Sequence, residues 1–153
     1  MAMEIERKFL VHKAPIHDWG EGVKMQQGYL ARGLNATCRI RAAGEHGFLT
    51  IKGRTEGISR QEYEYEIPIE EAYSMLKLCE GGLISKTRWR VNFEGKIWEV
   101  DVFDGDNEGL IVAEIELETE DEVFIKPPWI STEVSDDPRY FNGALSRHPF
   151  KSW

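Results

Sequence analysis

Met3–Val11, MEIERKFLV, sets Glu4, Glu6 and Lys8 on one side of a period-two pattern and Ile5, Phe9 and Val11 on the other. Arg7 is the exception. Read as a strand, the stretch puts two carboxylates and an ammonium in a row on one face and apolar residues on the opposite face. An amphipathic strand with one wet face looks the same. What separates the two readings is whether the pattern recurs, and with which charges.

It recurs along most of the chain. Lys24–Ala31 reads as a second strand with Gln27 and Tyr29 on one face and Leu30 on the other. Ala36–Ala42 alternates Thr37, Arg39 and Arg41 with Cys38 and Ile40. Gly44 and Gly47 supply turn residues into Gly47–Gly53, where Phe48, Thr50 and Lys52 oppose Leu49 and Ile51. Ser59–Ile67 sets Arg60, Glu62, Glu64 and Glu66 against Tyr63, Tyr65 and Ile67. Ile84–Phe93 sets Lys86, Arg88 and Arg90 against Trp89 and Val91, and Glu94–Gly95 fits a two-residue hairpin turn. Lys96–Asp104 puts Glu99 and Asp101 opposite Trp98, Val100 and Val102. Leu110–Glu118 puts Glu114, Glu116 and Glu118 opposite Ile111, Ala113, Ile115 and Leu117. Three segments switch to helical signals: Ile69–Cys79 by its apolar spacing, Thr119 with Glu122 as a capping box closed by Pro127–Pro128, and Asp137–Pro138 opening a last helix. The expectation is a mainly β (α+β) chain of about eight strands with about three peripheral helices. Short turns between the strands make them antiparallel.

The 153 residues suit a single domain over 1–153, with no internal repeat and no low-complexity linker. A net charge of −8 argues against a nucleic-acid surface but leaves room for a small polyanion in a locally basic pocket. No apolar run has signal-peptide or membrane-span length. Cys38 and Cys79 have no metal or redox spacing, which fits a reduced, cytoplasmic protein. Four scattered histidines give a histidine metal site or a Ser-His triad little support.

The polar positions are overwhelmingly ionisable and come in same-sign runs: Arg39/Arg41, Lys86/Arg88/Arg90, Glu62/Glu64/Glu66, Glu114/Glu116/Glu118. Same-face neighbours on a strand lie about 7 Å apart, so each run repels itself unless an opposite run or a ligand faces it. An eight-stranded closed barrel with these faces inward supplies the opposite runs and is wide enough for a small ligand. An open sheet with a wet, charged face satisfies each strand taken singly. In the barrel, basic groups would grip phosphate oxygens, and clustered carboxylates would call for a hard divalent cation, Mg²⁺ or Mn²⁺.

Glu4-Ile5-Glu6-Arg7-Lys8 resembles the ExExK signature of the CYTH superfamily, the triphosphate tunnel metalloenzymes. The resemblance extends through Arg39-x-Arg41, Lys52, Glu62-Tyr63-Glu64, Lys86-x-Arg88, Asp101 and Glu114-x-Glu116. The segment Asp137-Pro138-Arg139-Tyr140-Phe141-Asn142 resembles the one that ends the short bacterial members. The resemblance implies an eight-stranded antiparallel tunnel, open at both ends, that acts on triphosphate compounds with a divalent metal. It implies phosphate binding by Lys8, Arg39, Arg41, Lys52, Lys86 and Arg88, and metal binding by Glu4, Glu6, Glu114 and Glu116, with Glu62, Glu64 and Asp101 as further carboxylates. Tyr29 resembles a tyrosine proposed as proton acceptor, although a free phenol titrates near 10. Glu66, Glu118 and Trp89 depart from the family pattern and leave the substrate open.

The expected activity is metal-dependent hydrolysis of a linear triphosphate, inorganic tripolyphosphate first. Thiamine triphosphatase, with Trp19 or Trp129 stacking at a tunnel mouth, and nucleoside triphosphatase are the alternatives. Class IV-type adenylyl cyclase and a non-catalytic polyphosphate-binding module rank below them. A homodimer is left open. Beside these readings, Tyr63, Tyr65, Trp89 and Trp98 read as packing residues, Arg60 as a balancing charge at a tunnel mouth, and Arg139 and Asn142 as ties between the last helix and the barrel.

Overall fold

The computed structural model describes residues 3–153. Its elements are β1 (Met3–Val11), β2 (Val23–Arg32), β3 (Ala36–Ala43), β4 (His46–Gly53), β5 (Ser59–Ile67), α1 (Ile69–Leu76), β6 (Glu80–Phe93), β7 (Lys96–Phe103), β8 (Ile111–Glu116), β9 (Ile130–Glu133) and α2 (Asn142–Leu145). Every strand pairing is antiparallel, in the order β5-β4-β3-β2-β6-β7-β8-β1. The pairing of β5 with β1 closes the ring. The result is an eight-stranded barrel with one extra strand.

That extra strand was not expected from the sequence. β1 pairs with β5 only through Met3, Glu4 and Ile5. Further along, the same edge of β1 is taken over by β9, with backbone bonds of 2.8 Å from Val134 N to Lys8 O and from His12 N to Trp129 O. β9 also accounts for the misplaced charge of β1. Arg7 points outward, and its Nε donates to Glu133 at 2.8 Å.

The alternation turns the apolar faces outward, so they need external cover. α1 covers β2–β4: Ala72 and Leu76 pack on Ile40 and Ala42. Gly47 belongs to this contact and not to the turn, because a Cβ there would lie 2.8 Å from the Ala72 Cβ. The turn itself is Gly44-Glu45, with Gly44 at φ 59°; Glu94 and Gly95, at φ 50° and 78°, make the other two-residue hairpin. On the opposite side Phe9, Trp98, Val100, Ala113 and Ile115 are covered by Leu117, Phe124 and Trp129. Trp98 packs edge-on against Phe9, Phe124 and Trp129.

This last cover explains why the helix expected after Thr119 does not form. Glu122 does accept a bond from the backbone N–H of Glu118 at 2.7 Å, much as in a capping box. The chain then runs irregularly so that Phe124 and Trp129 can reach the Trp98 cluster, and burial of two aromatics outweighs one turn of helix. The last expected helix is also shorter than anticipated: a 3₁₀ turn over Pro138–Tyr140 with Asp137 accepting from the Arg139 N–H, then α2. Two α-helices stand among the described residues in place of about three. None is long and apolar enough to cross a membrane.

Tyr63 and Tyr65 do not pack against a helix; they are exposed on the outer face of β5. Trp129 by contrast is a buried keystone on the outside of the barrel. Trp129→Ala is expected to lower unfolding stability by about 3 kcal/mol, read from the urea midpoint. A midpoint that stays put would show that the 117–133 cover contributes little.

Candidate active site

Because β1 to β8 close on themselves, the charged faces enclose a cavity of about 640 Å³. All the candidate site residues except Lys86 and Asp101 line it, Tyr29 included. Cross-strand register brings acids and bases together. Lys52 on β4 donates to both Glu4 oxygens at 3.0 and 3.2 Å and lies 3.1 Å from Glu62, so one ammonium serves β1 and β5. Lys8 lies 3.4 Å from Glu114 and equally far from the Tyr140 carbonyl. Arg39 donates to Thr50 Oγ1 at 3.2 Å and sits 3.5 Å from Glu64.

Lys86 and Asp101 form a layer just behind the wall. Arg88 grips Asp101 with two bonds, 2.7 and 2.8 Å, while Lys86 lies 2.8 Å from Asp101 and donates to Asn142 Oδ1 at 3.1 Å. Burial would raise the Asp101 carboxyl, but Arg88 and Lys86 hold it well below the usual carboxylate range. The same carboxylate cannot fully offset two cations. Burial, with Arg88 and Arg41 nearby, pushes Lys86 down to about 7. Arg41 is likewise pushed down to about 9 by burial and by Arg39 and Arg88. Its Nε donates to Gln27 Oε1 at 2.8 Å. Arg39 Nε is buried without a hydrogen-bond partner, as a donor waiting for an anion would be.

The carboxylates crowd at one corner. Burial and the neighbouring Glu114 and Glu4 push Glu6 well above its ordinary value. Burial would raise Glu114 too, but Lys8 and the hydrogen bond from Glu6 hold it well below. Glu116 is raised by burial and by Glu4, Glu62 and Glu99. Carboxylates crowded in this way form an arrangement that a divalent cation would relieve. Among the described residues no three carboxylate, histidine or cysteine side chains converge into a complete cage. The carboxylates at this corner are hard oxygen donors, the kind that a divalent cation such as Mg²⁺ takes.

Several wall residues were not singled out in the sequence. Arg147 and Glu99 line the cavity, while Arg60, expected as a balancing charge at a tunnel mouth, lines it 3.5 Å from Glu4. Arg32 also lines it, for a reason strict alternation hides. A β-bulge between Tyr29 and Ala31 shifts the phase of β2, so that Arg32 pairs with Thr37 while Tyr29 pairs with Arg39. Both then face inward. Nor is the barrel simply open at both ends, as the resemblance implied. Leu10, Ile84, Phe103 and Val112 are the inward residues of β1, β6, β7 and β8 at one end, and they form an apolar layer with Leu145 of α2 seated on it. Of the two C-terminal ties considered, Asn142 holds Lys86, whereas Arg139 pairs with Asp137 at the surface.

The CYTH domain family model matches residues 2–141. An inorganic triphosphatase of Acetivibrio thermocellus is 48% identical, over 100% of this chain and 99% of its own. An inorganic triphosphatase of Nitrosomonas europaea is 39% identical, over 94% and 96%. A crystal structure of an inorganic triphosphatase, 38% identical and covering 95% of both chains, superposes with a TM-score of 0.68.

Removing Asp101 would leave buried Lys86 with only Asn142 as partner and Arg88 with only Glu99, 3.4 Å away. Asp101→Ala is expected to lower stability by about 3–5 kcal/mol in urea unfolding, the usual result of breaking a buried ion pair from one side. A loss no larger than that of a typical surface pair would mean that water reaches these groups.

Proposed function

The chain belongs to the CYTH domain family, and we propose that it is a divalent-metal-dependent triphosphatase acting on a linear triphosphate, inorganic tripolyphosphate first. The observation that carries this reading is the ring of Lys8, Arg39, Arg41, Lys52 and Arg88 around one cavity, on strands from every side of the barrel. Two relatives named inorganic triphosphatase support it. Phosphoryl transfer asks chiefly for positioning and charge neutralisation, and these cations supply both.

In this reading Lys8, Arg39, Arg41, Lys52 and Arg88 take the phosphate oxygens, with Lys86 behind them adding positive field. Asp101 positions Arg88 and Lys86; its bidentate bond leaves it poorly suited as a metal ligand. Glu6 and Glu114, with Glu4 and Glu116 beside them, would hold the metal, Mg²⁺ or Mn²⁺. Glu62 and Glu64 serve as counter-charges to Lys52 and Arg39. The metal would supply charge neutralisation and a more acidic water. Tyr29, on the wall beside Arg32, is the proposed proton acceptor. Free Cys38 and Cys79 fit a cytoplasmic setting.

Thiamine and nucleotide substrates need an aromatic platform, and the burial of Trp129 argues against one. Trp129 sits between Trp19 and Trp98 on the outside of the barrel, away from the lumen. A phosphate-release screen over tripolyphosphate, ATP and thiamine triphosphate, with Mg²⁺ or Mn²⁺ and with chelator, tests the proposal. Release from tripolyphosphate that chelator abolishes is the expected result. Binding without release would leave a polyphosphate-binding module instead. Lys8→Ala and Glu6→Ala should each abolish turnover in a protein that still unfolds cooperatively. Tyr29→Phe should slow it, and an unaltered rate would remove Tyr29 from the chemistry.

A further inference from the structure

The guanidinium of Arg32, on the cavity wall, is spent on the C-terminal segment. Its Nη1 donates to the Gly143 carbonyl at 2.6 Å and its Nη2 to Ser146 Oγ. The same group lies over the Tyr29 ring, 4.5 Å from its centroid. Ser146 Oγ in turn donates to Gly143 O at 2.8 Å, and Gly82 N donates to Ser146 O at 3.0 Å. At the other end of this segment, the Tyr140 carbonyl faces Lys8. Residues 138–147 therefore span the mouth of the barrel from β1 to β2, crossing the sector occupied by β8, β7 and β6. Phe141, Asn142, Gly143 and Ala144 supply cavity wall there.

The cap is held unequally along its length. Leu145 is fully buried on the apolar layer of β6–β8 and anchors the middle. On the β2 side the side-chain fastening is Arg32, beside the backbone bond from Gly82 N to Ser146 O. The bulge that aims Arg32 inward is the feature that permits it, since without the phase shift this side chain would face away from the cap.

We infer that Arg32 is a specificity-determining positioning residue: by holding residues 138–147 against Tyr29, it limits how far a phosphate chain can extend past the catalytic wall. This rests on the triphosphatase reading above. A substrate with a fourth phosphate or a bulky substituent on its terminal phosphate meets the fastened cap, while a bare triphosphate does not. Arg32 differs in this from Arg39 and Arg41. Arg39 has an unpartnered Nε and Arg41 only Gln27 as partner, so both retain donors for oxygens, whereas both arms of Arg32 are engaged with protein.

The test is the selectivity ratio, kcat/KM for tripolyphosphate over kcat/KM for tetrapolyphosphate and for ATP, in wild type, Arg32→Met and Ser146→Ala. Arg32→Met should lower the ratio by roughly tenfold or more, with the longer substrates gaining in absolute terms, a change on the scale of one altered pocket wall. Ser146→Ala, which removes only one of the two fastenings, should lower it less. Backbone amide exchange over residues 141–148 should quicken in Arg32→Met and stay slow elsewhere in the barrel. An unchanged ratio with unchanged exchange overturns the inference. So does a fall in tripolyphosphate turnover with no gain on longer substrates, which would make Arg32 a direct phosphate ligand. If wild type releases phosphate from no triphosphate, the functional reading fails while the exchange measurement still decides whether Arg32 fastens the cap.

Discussion

Lys52 reaches Glu4 at 3.0 Å and Glu62 at 3.1 Å, joining β4, β1 and β5 at the seam where the barrel closes. Backbone pairing across that seam involves only three residues of β1, so the shared ammonium is a large part of what fixes its register. Buried ion pairs add little net stability once desolvation is counted. What they supply here is uniqueness. A slip of one residue would turn every inner charge outward onto α1 or the Trp98 cluster and bring apolar groups into the lumen. The stabilising apolar burial lies on the outer face around Ile40 and Trp98, and in the inward layer under Leu145 at one end of the barrel. Charges specify the closure, and the covers on the outer face hold it.

That division explains what could be read from the sequence. Period two was legible because each barrel strand separates charge from hydrocarbon, and the same-sign runs indicated that opposite runs must lie across from them. β9 was missed because its four residues, Ile130–Glu133, are too short for periodicity to register. Arg7 was the available signal: a charge on the apolar face of β1 needed a partner, and Glu133 is that partner. Arg32 was missed because a bulge is a backbone event with no compositional mark, and one extra residue inverts the face of everything after it. The helix after Thr119 failed for the opposite reason. Its local signal was genuine, but the tertiary pull of Phe124 and Trp129 was stronger.

The same arrangement constrains what the lumen can accept. Its aromatic surface amounts to Tyr29 and Phe141, the first beneath Arg32 and the second facing Lys8. Among the described residues no tryptophan lines the cavity, and Trp98 and Trp129 are buried in the outer cover. A ligand made mostly of oxygen and charge is matched on every side, while one carrying a base or a thiazolium ring would meet only those two rings, each already beneath a cation.

The balance of charge in the wall adds a further constraint. Lys8, Arg32, Arg39, Arg41, Lys52, Arg60, Arg88 and Arg147 face Glu4, Glu6, Glu62, Glu64, Glu99, Glu114 and Glu116. Eight cations thus meet seven carboxylates in a chain whose overall charge is −8. The lumen is shielded from the acidity of the molecule but is close to neutral itself. A triphosphate entering alone would leave that space strongly negative, and the carboxylates now paired with Lys8, Lys52 and Arg39 would lose their partners to it. A divalent cation arriving with the phosphates would satisfy the released carboxylates and restore the balance. The proposed metal dependence therefore rests on the near-equality of the two charge sets, more than on any single ligand geometry.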